Sequence, residues 1–142
     1  MTNNWPENLR KIIEEFKDCF DSMERYELLF EYAKKNPNSL SMEEWNEENQ
    51  DLGCQSRAHV ECMLDENGNF LLKTGADAQI VQGLMAITAI AVNGLSSFEV
   101  SKLSPSYVEE MGLKSSLTPS RANGFLNMFR RVISEAEILA EA

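Results

Sequence analysis

The segment from 77 to 94 constrains the fold most, because it has the length of a helix and is apolar on nearly every side. Its sequence, DAQIVQGLMAITAIAVNG, contains Ile80, Leu84 and Ile87 among further apolar residues. A helix that is apolar all round is normally buried, so the rest of the chain has to surround it. The longest apolar run, LMAITAIAV at 84–92, is far shorter than the roughly 20 residues that span a bilayer. We therefore expect a buried central helix and no membrane association.

Other helices are predicted to cover this central one. Asp77 is expected to cap the start of the central helix, and Ser96 with Glu99 matches a capping box for a short helix after it. Apolar residues recur at helical spacing in the longer segments. The predicted covering helices are 6–17, 22–35, 97–103, a stretch between Pro105 and Gly112, and 119–140.

Alternating residues over 57–64 predict a β-strand instead. Ala58, Val60, Cys62 and Leu64 fall on one face, and His59 falls on the other, where we expect solvent. Asn67-Gly68 is a signal for a two-residue hairpin turn, and 70–74 forms the return strand. An isolated hairpin is only marginally stable, so we expect a third strand or helices to cover its apolar face. The predicted class is α+β, a small antiparallel sheet packed against helices.

Between the second helix and the hairpin, residues 38–53 read as a long acidic loop. Its sequence, NSLSMEEWNEENQDLG, holds five carboxylates and no Lys or Arg, which discourages a compact helix, although a short one around Met42 to Trp45 fits. The whole chain has a formal net charge of −10. That charge argues against non-specific binding of nucleic acid, which depends on clustered cations.

Length and composition predict a single domain over 1–142 in a reducing compartment. The N-terminal residues show neither a basic start nor an apolar run, so we expect a cytoplasmic protein. The three cysteines cannot all pair, and no CxxC or HxxxH spacing accompanies the single histidine. The cysteines are therefore interpreted as free thiols rather than zinc ligands.

Cys54 is the candidate reactive residue. It follows Gly53 at the end of the acidic loop and precedes the polar Gln55 and Ser56, whereas Cys19 and Cys62 fall in apolar patterns typical of packing. A loop cysteine can be exposed, which reactivity requires. The acidic residues upstream disfavour a thiolate, so a nearby cation is needed. Two candidates for that cation are Arg57 and Arg121, the latter in the first turn of the last helix, where a cation opposes the helix dipole.

Three segments resemble the SufE family of cysteine desulfuration proteins. EENQDLGCQS at 47–56 is similar to the family's run into GCQS, and KTGADAQIVQGL resembles its IVxGL helix. LTPSRANGFLNMFRRV at 117–132 is similar to its LTPSR segment. The family usually continues GCQS with x-V-W-(I/L), whereas this chain has Arg57-Ala58-His59-Val60.

The resemblance implies a function and a site. A SufE-like protein accepts sulfane sulfur from a PLP-dependent, SufS-like cysteine desulfurase, stimulates that enzyme and passes sulfur to a downstream iron–sulfur scaffold. The sulfur would be carried as a persulfide on Cys54, with Gly53, Gln55, Ser56 and Arg121 in supporting roles. The resemblance also implies an IscU-like α+β fold, no cofactor and no stand-alone catalysis.

Two other functions stay open on the residues alone. One is an IscU-like metal-cluster scaffold, which needs several ligating cysteines. The other is a thiol enzyme using Cys54, for which the sequence offers no resolving cysteine or catalytic triad. The sequence also leaves a homodimer open.

Overall fold

The chain forms an α+β structure, as predicted. The computed structural model describes residues 5–50, 58–113, 117 and 119–141, with the backbone only of Ser120 and Arg121. A 3₁₀ turn at Met42–Glu44 lies within the acidic loop. The remaining elements are α1 Glu7–Lys17, α2 Ser22–Lys34, β1 Ala58–Leu64, β2 Phe70–Ala76, α3 Gln79–Val92, α4 Ser97–Ser101, α5 Tyr107–Glu110 and α6 Pro119–Glu141.

Helix α3 is the buried centre that its composition predicts. Its side chains are buried on nearly all sides, and it packs against α1, α2, α6 and strand β2. The predicted cap at Asp77 is wrong: the N-cap position is Ala78, which makes no side-chain capping bond. The side chain of Gln82 instead donates to the carbonyl oxygen of Ala76 at 2.5 Å, which satisfies a backbone acceptor just before the helix.

The hairpin forms with a longer turn than predicted. β1 and β2 pair antiparallel, and Leu64 lies opposite Phe70. The amide of Asp65 donates to the carbonyl of Asn69 at 2.8 Å, so three residues rather than two make the turn. A two-residue type I′ turn needs positive φ at both central positions, but only Gly68 adopts it, with φ 81°. The Asp65 carboxylate accepts from the amides of Asn67 and Asn69 and fixes this wider turn.

Single-residue bridges stand where a third strand was expected. Among the described residues the sheet has two strands, β1 and β2. Ser39 bridges Thr74 on the outer edge of β2, and Gln50 bridges His59 on the outer edge of β1. The unpaired N–H and C=O groups of both edges are thereby partly satisfied by the acidic segment. The two ends of that segment, 38–40 and 49–50, therefore lie against opposite edges of the hairpin.

Tyr107 closes the core on the side of the helices. It is fully buried, and its ring packs edge-on against that of Trp5 with 5.9 Å between the centroids. Its hydroxyl oxygen lies 2.6 Å from Thr88 Oγ1. Thr88 already donates to the carbonyl of Leu84 at 2.9 Å, so the tyrosine hydroxyl is the donor to Thr88. Burial raises the pKa of Tyr107, so this hydroxyl stays protonated at neutral pH.

We expect Tyr107→Phe to lower the free energy of unfolding by about 1 kcal/mol, the usual net value of one buried neutral hydrogen bond. The ring contacts are kept, and Thr88 retains its bond to Leu84, so no donor is left unpaired. Urea denaturation of the wild type, Tyr107→Phe, Thr88→Val and the double variant measures the coupling. A coupling energy of zero would contradict the bond.

Candidate functional site

The predicted sulfur carrier and its neighbours lie outside the described residues. This holds for Gly53, Cys54, Gln55 and Ser56, and also for Arg57. Arg121 lies in the first turn of α6, as predicted, and its side chain is also outside the described set. The structure instead shows what holds the chain on both sides of residues 51–57, and we call residues 46–50 the stem.

Asn49 anchors the stem from inside. Its side chain is 3% exposed. The amide nitrogen donates to the carbonyl of Glu44 at 3.0 Å and to the carboxylate of Glu61 at 2.8 Å. The amide oxygen accepts from the backbone of Asn46 at 3.1 Å. This one buried side chain thus links the acidic loop to β1. Its fourth partner is a histidine of β1.

That histidine, His59, is buried rather than exposed. It is 2% exposed, and its ring stacks on the indole of Trp45 with centroids 4.6 Å apart. The predicted solvent position is therefore wrong, because the acidic segment folds back over that face of β1. His59 Nδ1 lies 2.6 Å from Asn49 Oδ1. Both hydrogens of the Asn49 amide are used elsewhere, so Oδ1 is the acceptor and His59 carries its proton on Nδ1.

Gly75 makes room for the Trp45 indole. Gly75 lies opposite His59 in the hairpin register. A Cβ at this position would lie 2.5 Å from Trp45 Nε1 and 2.7 Å from the carbonyl oxygen of Leu40, to which the indole donates at 3.2 Å. The absence of a side chain at 75 therefore allows the ring that covers His59 to sit against β2.

Gly75→Ala is expected to displace the indole and to lower the free energy of unfolding by about 2 kcal/mol, in the range of overpacking substitutions. The signal of the Trp45 indole N–H in an NMR spectrum reports the displacement, and urea denaturation reports the stability. Glu66→Ala, at the exposed tip of the same hairpin, serves as control. An unchanged indole signal in Gly75→Ala would show that the ring does not occupy this position.

Arg131 holds the stem from outside. This residue lies on α6, and its guanidinium donates to the carbonyl oxygen of Gln50 at 2.8 Å and to that of Glu48. On its other side Nε donates to the carboxylate of Glu135 at 3.2 Å. These bonds join α6 directly to the residues that precede 51–57 in the chain.

Cys62 is a packed thiol, as the sequence predicts. It lies on β1, faces α6 and packs against the core. Burial raises the pKa of the Cys62 thiol, and the carboxylate of Glu135 raises it further, while Arg131 acts in the opposite direction. Because the thiolate is the reactive form, this cysteine is poorly suited to nucleophilic attack.

Cys19 lies in the turn after α1 and is half-buried. Its thiol donates to the carbonyl of Glu15 at 3.6 Å. Burial and the Glu24 carboxylate raise the pKa of the Cys19 thiol, so its surroundings also disfavour the thiolate. Within residues 5–50, 58–113 and 119–141, no group of three His, Cys, Asp or Glu side chains is arranged to hold a metal ion.

The sequence patterns did not indicate Asn49 and Arg131 as residues of the candidate site. Asn49 stands in a polar run, NEENQD, and gives no signal that distinguishes it from its neighbours. Arg131 reaches carbonyls 81 and 83 positions earlier in the chain. The preceding residue, Arg130, is also an arginine, but it is exposed and bonds to Asn127 on the same helix. Residue type therefore does not distinguish Arg131 from Arg130.

Comparison with known proteins identifies the family of this chain. The model of a family described as "SufE: Fe-S metabolism associated domain" matches residues 10–136. The chain belongs to the SufE family. The resemblance carried by GCQS and LTPSR is thereby confirmed. In this SufE-family chain, the ring at the position of the family's usual tryptophan is His59, and Trp45 covers it.

Two proteins named as SufE-like also match this chain over most of its length. This SufE-family chain is 40% identical over 136 residues to an uncharacterized SufE-like protein of Synechocystis sp., covering 92% of this chain and 81% of that one. It is 30% identical over 131 residues to the SufE-like protein 1, chloroplastic/mitochondrial, of Arabidopsis thaliana, covering 92% of this chain and 35% of that protein. It therefore spans about a third of the Arabidopsis relative's length.

A solved structure supports the fold. The solution structure of a hypothetical protein from Thermus thermophilus superposes with a TM-score of 0.80, covering 97% of this chain and 99% of that one. The two are 23% identical, so this likeness concerns the fold alone. Among the described residues of this SufE-family chain, no helix has both the length and the apolar character needed to cross a bilayer.

Proposed function

We propose that this protein is a sulfur carrier that accepts sulfane sulfur on Cys54 from a PLP-dependent, SufS-like cysteine desulfurase. It stimulates the desulfurase and delivers the sulfur to a scaffold for iron–sulfur cluster assembly. The observation that carries the proposal is the match to the Fe–S metabolism associated family over residues 10–136, which includes the GCQS segment.

The surroundings of the other two cysteines support Cys54 as the carrier. Cys62 packs on the core beside Glu135, and the Cys19 thiol donates to a carbonyl of the preceding helix α1. In both cases burial and neighbouring carboxylates raise the thiol pKa. Cys54 follows a stem fixed by Asn49 and Arg131, so the segment that bears it starts from a defined position.

The transfer step conserves atoms and electrons. The Cys54 thiolate attacks the outer sulfur of the donor's cysteine persulfide, a new S–S bond forms, the donor's S–S bond breaks, and the donor cysteine leaves as a thiolate. No external oxidant or reductant is needed, because the zero-valent sulfur moves between two thiolates. Cleavage of the carbon–sulfur bond belongs to PLP in the partner, so the carrier itself needs no cofactor.

The supporting residues have defined parts in this proposal. Arg121, with Arg57 as a second cation, stabilises the thiolate at position 54. Gly53, Gln55 and Ser56 flank Cys54 in the sequence and are its proposed supporting residues. Residues 1–142 act as one SufE-like domain. A cytoplasmic location stays a prediction, since one relative is named chloroplastic/mitochondrial.

The test is to incubate the purified protein with a PLP-dependent cysteine desulfurase and cysteine, and to measure its intact mass with and without reductant. We expect a gain of one sulfur atom that reductant removes, and faster alanine formation by the desulfurase when the protein is present. An active desulfurase that neither loads nor responds to the protein would refute the proposal. Retention of iron by the purified protein would favour a cluster scaffold instead.

A further inference from the structure

Arg131 connects two parts of the molecule that are far apart in sequence. Its side chain is 28% exposed and lies between α6 and the stem. One terminal nitrogen donates to the carbonyl of Gln50 and the other to the carbonyl of Glu48. A planar guanidinium presents its donors in a rigid fork, so paired bonds of this kind fix direction as well as distance.

The guanidinium is itself held in place. The Glu135 carboxylate, one turn further along α6, accepts from Nε at 3.2 Å and is partly shielded from solvent. The fork therefore points away from Glu135 and towards the stem. On the opposite side, Gln50 forms an antiparallel bridge to His59, and the amide of Val60 donates to the carbonyl of Asn49 at 2.8 Å. The last described residue before the Cys54 segment is thus fixed both to β1 and to α6.

The same helix carries Arg121 ten residues earlier. Ten residues of α-helix extend roughly 15 Å, and a helix is stiff over that length. Through Arg131, the stem of the Cys54 segment therefore has a fixed position relative to the start of α6. Asn49 links the stem to the sheet and to the acidic loop, whereas Arg131 links it to α6.

We propose that Arg131 is a positioning residue for sulfur transfer. It fixes the stem on α6, and so sets the orientation in which the Cys54 segment meets a persulfide held by another protein. This inference rests on the proposed function. Sulfur transfer requires the attacking thiolate, the outer sulfur and the leaving sulfur to align, and small misplacements lower such rates steeply. A small alkylating reagent can approach from any side and has no such requirement.

The experiment compares two reactions of Cys54 in full-length Arg131→Ala, Arg131→Lys and Arg130→Ala. The first is the rate of sulfur loading by a cysteine desulfurase at saturating and at limiting concentrations of that enzyme. The second is alkylation of the free protein by iodoacetamide, read as peptide masses. Arg130→Ala removes the same charge from an exposed neighbour whose guanidinium donates to Asn127 on the same helix.

For Arg131→Ala we expect loading at saturating desulfurase to fall about tenfold. Alkylation of Cys54 should stay within about twofold of the wild type, since it depends on access and on the thiolate fraction. Arg131→Lys should recover only part of the loading rate, because an ammonium group lacks the fork. Arg130→Ala should load like the wild type, and Cys62 should stay unalkylated in every variant, which shows that the fold is kept.

Several results would overturn the inference. Equal loading by Arg131→Ala and the wild type would refute it while leaving the proposed function intact. An equal loss in Arg130→Ala, or full recovery in Arg131→Lys, would show that charge rather than the paired bonds is responsible. If the wild type takes up no sulfur at all, the proposed function fails, and the inference that rests on it fails too.

Discussion

Cys54→Ser is expected to take up no reductant-labile sulfur from a cysteine desulfurase, whereas Cys62→Ser loads like the wild type. A serine hydroxyl is not ionised at neutral pH and cannot form the S–S bond that holds the transferred atom. The loss should be complete rather than partial, because the side chain is itself the carrier. Intact mass with and without reductant measures the bound sulfur, and peptide masses locate it.

Cys62→Ser and Cys19→Ser are the matched controls. Burial and the Glu135 carboxylate raise the pKa of the Cys62 thiol, and burial and the Glu24 carboxylate raise that of Cys19. Neither thiol should then compete for the donor persulfide at neutral pH. Sulfur retained by Cys54→Ser and lost from Cys62→Ser would assign the carrier to the buried strand and reject the proposal for Cys54.

Asn49→Ala is expected to produce the largest loss in the free energy of unfolding, about 3 kcal/mol. The side chain is 3% exposed and bonds to Glu44, Asn46, His59 and Glu61. Its removal leaves the buried Nδ1–H of His59 without that acceptor, and the desolvation cost of one such group alone is about 1–3 kcal/mol. The remaining loss comes from the other partners of the same network, which act together.

Urea denaturation measures this loss, with Asn46→Ala as control. Asn46 is exposed, and among the residues that the structure describes its side chain accepts one bond, from the backbone amide of Asn49 at 2.9 Å. We expect Asn46→Ala to cost less than about 1 kcal/mol, as for one exposed hydrogen bond. Equal effects of the two substitutions would mean that the buried amide does not organise the stem.

The predicted elements largely match those in the structure, because each depends on neighbours in sequence. Helical spacing placed α1 and α2 within one residue at each end, and the capping box at Ser96 and Glu99 is present. The hairpin turn was predicted too short, since Asn67-Gly68 suits two turn types and the Asp65 carboxylate selects the wider one.

The site was only partly predictable. Cys54 and Arg121 are predicted from position and from the family resemblance, and both side chains lie outside the described residues, so their assignment stays a prediction. Alternation on β1 placed His59 in solvent, since alternation assumes that one face of a strand is open. In the structure the segment 38–50 covers that face, and Trp45 stacks on the histidine.

Sequence alone determined the α+β class and the buried helix α3, since each is encoded in residues close together along the chain, and it predicts Cys54 as the sulfur carrier. Only the tertiary structure decided that Asn49 is buried, that His59 carries its proton on Nδ1 and that Arg131 binds the carbonyls of the stem. Those contacts join segments from 10 to 83 positions apart. Local periodicity says which side of an element is apolar, but it does not say which distant segment will lie against it.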